Sequence, residues 1–274
     1  MSTLQRVMSP HRHDPDTVSV VFRVAAALAA LVLWGLVAAG CGSHGPRSGV
    51  KAAIETRIRH CSDGARVPLG SPKLAFAAVV RRPLHAFHAP GRKPFAAFGR
   101  LNVNRVPTVF SVLGAIVSRS CEARWYHVEL PLKPNGITGW VRAAQVQVDS
   151  VDTRIDVDLS ARRVTLFRDG RVVLRATAAV GAPATPTPTG RYYVNQRLIP
   201  SDPSGPFGPG AVGISAFSNV LTGWTQGGPI AIHGTNEPWS IGHDVSNGCI
   251  RLPNATLKRL FDAVPAGTPV VIRA

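Results

Sequence analysis

The chain has 274 residues, room for about two domains, with 45% hydrophobic residues, 26 Gly and 23 Pro. That is too apolar for a disordered chain and too poor in Gly and Pro for a low-complexity or collagen-like one. Its formal charge is +16, from 31 Lys and Arg against 15 Asp and Glu, which favours a negatively charged partner: nucleic acid, anionic lipid or a polyanionic cell envelope. The basic residues are scattered singly, so no nucleic-acid-binding arm is indicated.

The stretch Val24 to Gly40 carries no charge, follows Arg6, Arg12 and Arg23, and ends in Ala38-Ala39-Gly40-Cys41. A positive flank, an apolar stretch and a small-residue end read as an export signal over residues 1–41. The same stretch sits at the short edge of a spanning helix, so a membrane anchor is the second reading. A buried helix of a cytosolic domain is the third, disfavoured because no polar face marks it. Cys41 resembles the lipidated cysteine of a bacterial lipoprotein, although Ala38 stands where that signal usually carries Leu. The expected location is therefore the cell envelope after export, with attachment to the membrane through the N-terminus as a variant of the same idea.

Residues 42–60 read as a linker, flexible from Gly42 to Gly49 and with a helical turn or two from Val50 to His60. Residues 61–150 hold short apolar runs (Leu74–Val80, Pro107–Leu113, Trp125–Leu130, Gly139–Val141) divided by Ala89-Pro90-Gly91 and Pro134-Asn135-Gly136. Short strands with frequent turns predict a small β-barrel or sandwich. The string WYHVELPLKPNGITGWVRAAQV resembles the end of a bacterial SH3-like wall-associated module. A β-rich spacer packed on the next domain is the alternative, with Trp125 and Trp140 as core residues.

Residues 151–274 give clearer signals. Ile155, Val157 and Leu159 alternate, and Val164 to Phe167 and Val172 to Leu174 flank Asp169-Gly170, a strong hairpin signal. A Pro/Thr loop from Gly181 to Gly190 precedes a strand at Tyr192–Asn195. Further strands fit Val212–Phe217, Ile230–Ile232 and Val270–Ile272. One late helix is predicted at Ala255–Val264, with Asn254 as its N-cap and Pro265 and Gly267 as its stop. The fold class is mainly β.

Three constellations bear on chemistry. Gly208, Gly210 and Gly213 match G-x-G-x-x-G, but Pro203, Pro206 and Pro209 forbid the helix that a dinucleotide fingerprint opens, so no organic cofactor is expected. His233, His243 and Cys249 have the residue types of a zinc site, yet they lack paired spacing and a neighbouring carboxylate base, and no metal is expected. The third is IAIHGTNEPWSIGHDVSNGCIRLPN, which holds His233 and Cys249. A histidine that takes the thiol's proton supplies a thiolate nucleophile. Gly234 and Gly248 allow close backbone approach, and Arg251 adds a charge that would depress the thiol pKa or hold a carboxylate. A buried structural Cys beside a strand-end His is the alternative.

These strings resemble the L,D-transpeptidases of the YkuD family. The matching residues are His233-Gly234-Thr235-Asn236, Ser246-Asn247-Gly248-Cys249-Ile250-Arg251, the loop TPTPTGRYYV and the end GTPVVIRA. The resemblance implies a β-rich catalytic fold that crosslinks peptidoglycan stem peptides, donor and acceptor, through an acyl-enzyme on Cys249. It also implies His233 as general base, the Gly234 carbonyl as its orienting group, an oxyanion region at Gly248, and inhibition by carbapenem-type β-lactams. Asn247 replaces the second His of the commonest pattern; with Ser246 and Arg251 it is assigned to substrate binding. A catalytically degenerate wall-binding module and a zinc-dependent wall peptidase are the competing functions. Of the remaining cysteines, Cys61 and Cys121 bracket most of the β-module. An exported chain matures where disulfides form, so the pair is expected to be bridged; two small buried apolar residues are the alternative.

Overall fold

The computed structural model describes residues 47–58 and 60–274. The export segment, Cys41 and the start of the linker lie outside the described residues. Among the described residues no helix is long and apolar enough to cross a membrane.

The second half of the expected linker is a helix, α1 (Arg47–Arg57). Val50 and Ile54, one turn apart on one face, are 6% and 1% exposed and join the core of the strands that follow. That burial corrects the linker assignment: an amphipathic turn needs a partner face, and here it has one.

Eight strands make the first sheet. They are β1 (Arg66–Pro68), β2 (Ala75–Val80), β3 (Leu84–Phe87) and β4 (Pro94–Phe98), then β5 (Val109–Val117), β6 (Ala123–Glu129), β7 (Thr138–Arg142) and β8 (Val146–Val151). The order is β4-β3-β7-β6-β5-β2-β8, with β1 on the far end of β5. Phe76, Phe110, Val128 and Val141 fill its core. Trp140 is buried beneath His127 and Arg66, whereas Trp125 is only half-buried, between Phe87 and Arg142. Cys61 and Cys121 form a disulfide with Cα atoms 5.3 Å apart.

The second sheet begins with β9 (Thr153–Asp158), β10 (Arg163–Arg168) and β11 (Arg171–Thr177); β12 (Val180–Gly181) lies off it. It continues with β13 (Gly190–Leu198), β14 (Ala211–Phe217) and β15 (Pro229–His233). The short β16 (Asp244–Ser246) pairs with β12, and β17 (Ile250–Arg251), helix α2 (Asn254–Ala263) and β18 (Pro269–Arg273) complete the fold. The order is β11-β10-β9-β18-β13-β14-β15-β17. Asp169 and Gly170 take φ of 51° and 78°, the left-handed pair that a two-residue hairpin turn requires. Leu257 and Leu260 of α2 are fully buried against Ile155, Val270, Ile214 and Ile232.

Asn254 does not cap α2. Pro253 occupies the cap position and makes no side-chain bond, while the Asn254 side chain accepts the Thr235 N–H at 2.8 Å. The two sheets meet through polar pairs: Ser215 donates to Glu129 at 2.7 Å, Tyr193 donates from its hydroxyl to the Val109 carbonyl, and Asn135 bonds both ways with the Phe217 backbone.

Candidate active site

Strands β15 and β17 run parallel, with Ile232 opposite Ile250 and His233 opposite Arg251. Side chains alternate along a strand, so the fully buried Ile232 and Ile250 face the core and His233 and Arg251 face the other way. One residue before the pairing starts, Cys249 falls opposite Ala231, whose backbone N–H bonds the thiol. Thiol and imidazole thus fall on one sheet face, two positions apart across the β15–β17 pair.

The imidazole is 4% exposed. Its Nδ1 lies 2.5 Å from the Gly234 carbonyl. A carbonyl only accepts, so Nδ1 carries the proton and Nε2 offers its lone pair. Phe207, from the loop before β14, meets the ring edge-on at 5.0 Å. Burial pushes the His233 pKa down to about 4, opposed by the Gly234 bond and reinforced by Arg251. Burial pushes the Cys249 thiol up, opposed by the Ala231 N–H and Arg251. At neutral pH the two therefore rest as a thiol and a neutral imidazole.

The turn that presents Cys249 is braced from within. Ser246 is 1% exposed; its hydroxyl donates to the Cys249 carbonyl at 2.5 Å and accepts the Gly248 N–H at 3.2 Å. Ser246, expected among the substrate contacts, spends its hydroxyl within the turn, and it is this hydroxyl that engages the Gly248 N–H. Gly248 has φ of 104°, a conformation open to glycine. The Pro/Thr loop holds the turn from outside. Thr187 donates to the Gly248 carbonyl and accepts the Gly181 N–H, while Thr185 and the Ala182 N–H both donate to the Ser246 carbonyl.

Gly208 and Gly210 do belong to a loop, and its place is the His-Gly corner. A Cβ on Gly234 would lie 2.8 Å from Pro209 Cδ and would strike the Asn254 side chain, so the glycine after His233 is what lets this loop close over the histidine. Asn247 is exposed. Arg251 donates from Nη1 to Glu237, while its Nε has no acceptor. His243 is exposed, and among the described residues no three His, Cys, Asp or Glu side chains gather where a metal could bind. Glu237, Phe207 and Thr187 were not singled out from sequence, and Asn254 only as a helix cap. Thr187, Glu237 and Asn254 lie within strings that drew attention there.

A family model described as the YkuD L,D-transpeptidase catalytic domain matches residues 152–272. The Bacillus subtilis (strain 168) protein named as L,D-transpeptidase YkuD is 39% identical over 123 residues, 45% of this chain and 67% of that protein. The chain belongs to the YkuD family of L,D-transpeptidases. A second B. subtilis relative, named as L,D-transpeptidase YqjB, is 30% identical over 44% of this chain and 71% of its own length. The solution structure of the catalytic domain of an Enterococcus faecium L,D-transpeptidase acylated by ertapenem is 26% identical over 44% of this chain and 96% of that one, with a TM-score of 0.33. As a YkuD-family enzyme the chain is a cysteine-dependent L,D-transpeptidase of peptidoglycan, on a mainly β fold.

Proposed function

We propose that Cys249 is the nucleophile and His233 the general base of this L,D-transpeptidase, acting on stem peptides of the cell wall outside the cytoplasm. One observation carries the assignment: a thiol and an imidazole with its Nδ1 proton fixed share one face of the β15–β17 pair. Nε2 takes the thiol proton as sulfur attacks the carbonyl between the L- and D-centres of a donor tetrapeptide. The Cys249 N–H stabilises the oxyanion. The imidazolium returns its proton to the departing D-Ala amine, leaving a thioester. An acceptor amine attacks that thioester through the same base, and the thiol is restored. Asn247, exposed beside the nucleophile, is free to bond the peptide backbone. A carbapenem, whose strained amide presents a similar carbonyl, would acylate the same sulfur.

The localisation rests on the sequence of residues 1–41, with Cys41 as a lipid-attachment point or the segment as an anchor. Residues 61–150 fit a wall-associated SH3-like module. The test is analysis of muropeptides after incubation with purified wall substrate, together with intact-mass measurement after carbapenem treatment. Cys249→Ala should lose both crosslinks and adduct. His233→Ala should lose at least a factor of 10² in turnover, the usual scale for a general base. Crosslinking retained by Cys249→Ala, or abolished in the parent by a chelator, would overturn the thiol mechanism.

A further inference from the structure

Cys249 and His233 share their sheet face with one cation, Arg251. Its side chain is 16% exposed, Nη1 donates to Glu237 Oε2, and Nε is buried with no acceptor. Glu237 is therefore the acidic anchor of the guanidinium among the described residues. The Glu237 side chain is 44% exposed, but its backbone is fixed at both ends. Its N–H donates to Thr235 Oγ1 at 2.9 Å, and its carbonyl accepts from the Ser240 N–H and, at 2.6 Å, from the Ser240 hydroxyl. Thr235 is itself held by Asn254. The loop that orients the imidazole through Gly234 thus returns three residues later to grip the arginine.

We propose that Glu237 is a positioning residue, which holds the Arg251 guanidinium beside the Cys249 thiol so that its charge acts on the sulfur. The proposal rests on the assignment of Cys249 as nucleophile only for its functional meaning; the geometry stands without it. Arg251 pulls the Cys249 pKa downward against burial. Among the described residues, the charge that acts on the thiol is that of Arg251 from β17, with His233 on the same face from β15 and Glu237 joined to Arg251. The packed segment 182–189 holds only Ala, Pro and Thr.

Two variants separate positioning from mere neutralisation. Glu237→Gln keeps an acceptor for Nη1 and deletes the negative charge, so the arginine stays in place and acts more strongly. Glu237→Ala deletes the anchor, and the guanidinium is free to leave for water. The experiment measures iodoacetamide alkylation of Cys249 in the purified full chain by peptide mass spectrometry from pH 6 to 10, since the rate follows the thiolate fraction. The expected result is a profile moved to lower pH in Glu237→Gln and to higher pH in Glu237→Ala, where it should approach that of Arg251→Gln. Shifts of both variants to lower pH would show that the arginine stays without its anchor and would overturn the proposal. An unchanged Glu237→Gln profile would overturn it equally, and that isosteric change at an exposed side chain does not threaten folding. Alkylation is read without turnover, so crosslinking surviving in Cys249→Ala would sink the nucleophile assignment and leave this result intact.

Discussion

Replacing Glu129 by Gln should stabilise the protein at alkaline pH and leave it unchanged in acid. Glu129 ends β6 on the side away from that sheet's core and is 9% exposed. One oxygen accepts the Ser215 hydroxyl, which itself accepts the Tyr193 N–H. The residue also lines a cavity of about 530 Å³ between the sheets, with Arg191 and Tyr192 on the facing wall. Burial raises its pKa from 4.5 to about 7, with Ser215 and Arg191 working in the opposite direction. A raised carboxyl pKa means that the folded state holds a proton the unfolded chain has released. Stability from this group is thus full below pH 4.5 and is lost as pH rises through 7. The difference corresponds to about 3 kcal/mol once both states are ionised, as an order of magnitude. Gln keeps the acceptor for Ser215 and cannot ionise. In thermal melts of the full chain, the variant should match the parent at pH 4.5 and exceed it at pH 8.5 by roughly 6–12 °C for a protein of this size. An equal difference at both pH values, or a variant less stable than the parent in alkali, would refute the buried-carboxyl argument.

Asn254→Ala removes the acceptor of the Thr235 N–H, and Thr235 is buried; an orphaned buried donor costs about 1–3 kcal/mol, and both the melting temperature and the crosslinking rate should fall. Gly234→Ala would push a methyl against Pro209 and Asn254, so we expect turnover to drop with the His233 orientation, by more than the stability loss of about 1–3 kcal/mol for an overpacked site; paired kinetics and denaturation report the two. Reduction of the Cys61–Cys121 bridge, which closes a 60-residue separation, should cost about 4 kcal/mol on the chain-entropy estimate, read as a shift in urea unfolding with and without reductant. Native crosslinking should survive that reduction, because the bridge lies in the first sheet.

The placement of His233 and Cys249 on neighbouring strands was legible because its signal is local: His-Gly and Ser-Asn-Gly-Cys each fold into one corner, and each corner needs its glycine. The hairpin at Asp169-Gly170 was readable for the same reason, since two left-handed residues in a row leave few alternatives. What escaped depended on a partner distant in the chain. Asn254 has the chemistry of a helix cap, and only the position of Thr235 shows that its side chain is used elsewhere. Ser246 has the chemistry of a substrate donor, and only the fold shows that its own turn takes its proton and one of its lone pairs. Val50 and Ile54 looked like a stub in a linker because the strands that cover them come later. Glu129 alternated as an outward strand residue should, and became buried only because a second sheet lies on that face.

The position of β18 governs when the enzyme can exist at all. It pairs in parallel with β9 and antiparallel with β13, and so joins the β9–β11 hairpin to the strands that carry His233 and Cys249. Residues 269–273 follow both catalytic motifs in the sequence, yet they are needed at the middle of the sheet. Until they emerge, the chain holds two half-sheets with open edges and a thiol whose supports are not yet locked. Contacts of this separation also form slowly. The sheet that carries His233 and Cys249 is therefore complete only once residues 269–273 have paired with both β9 and β13, and loss of that pairing should silence the enzyme without any change at either residue.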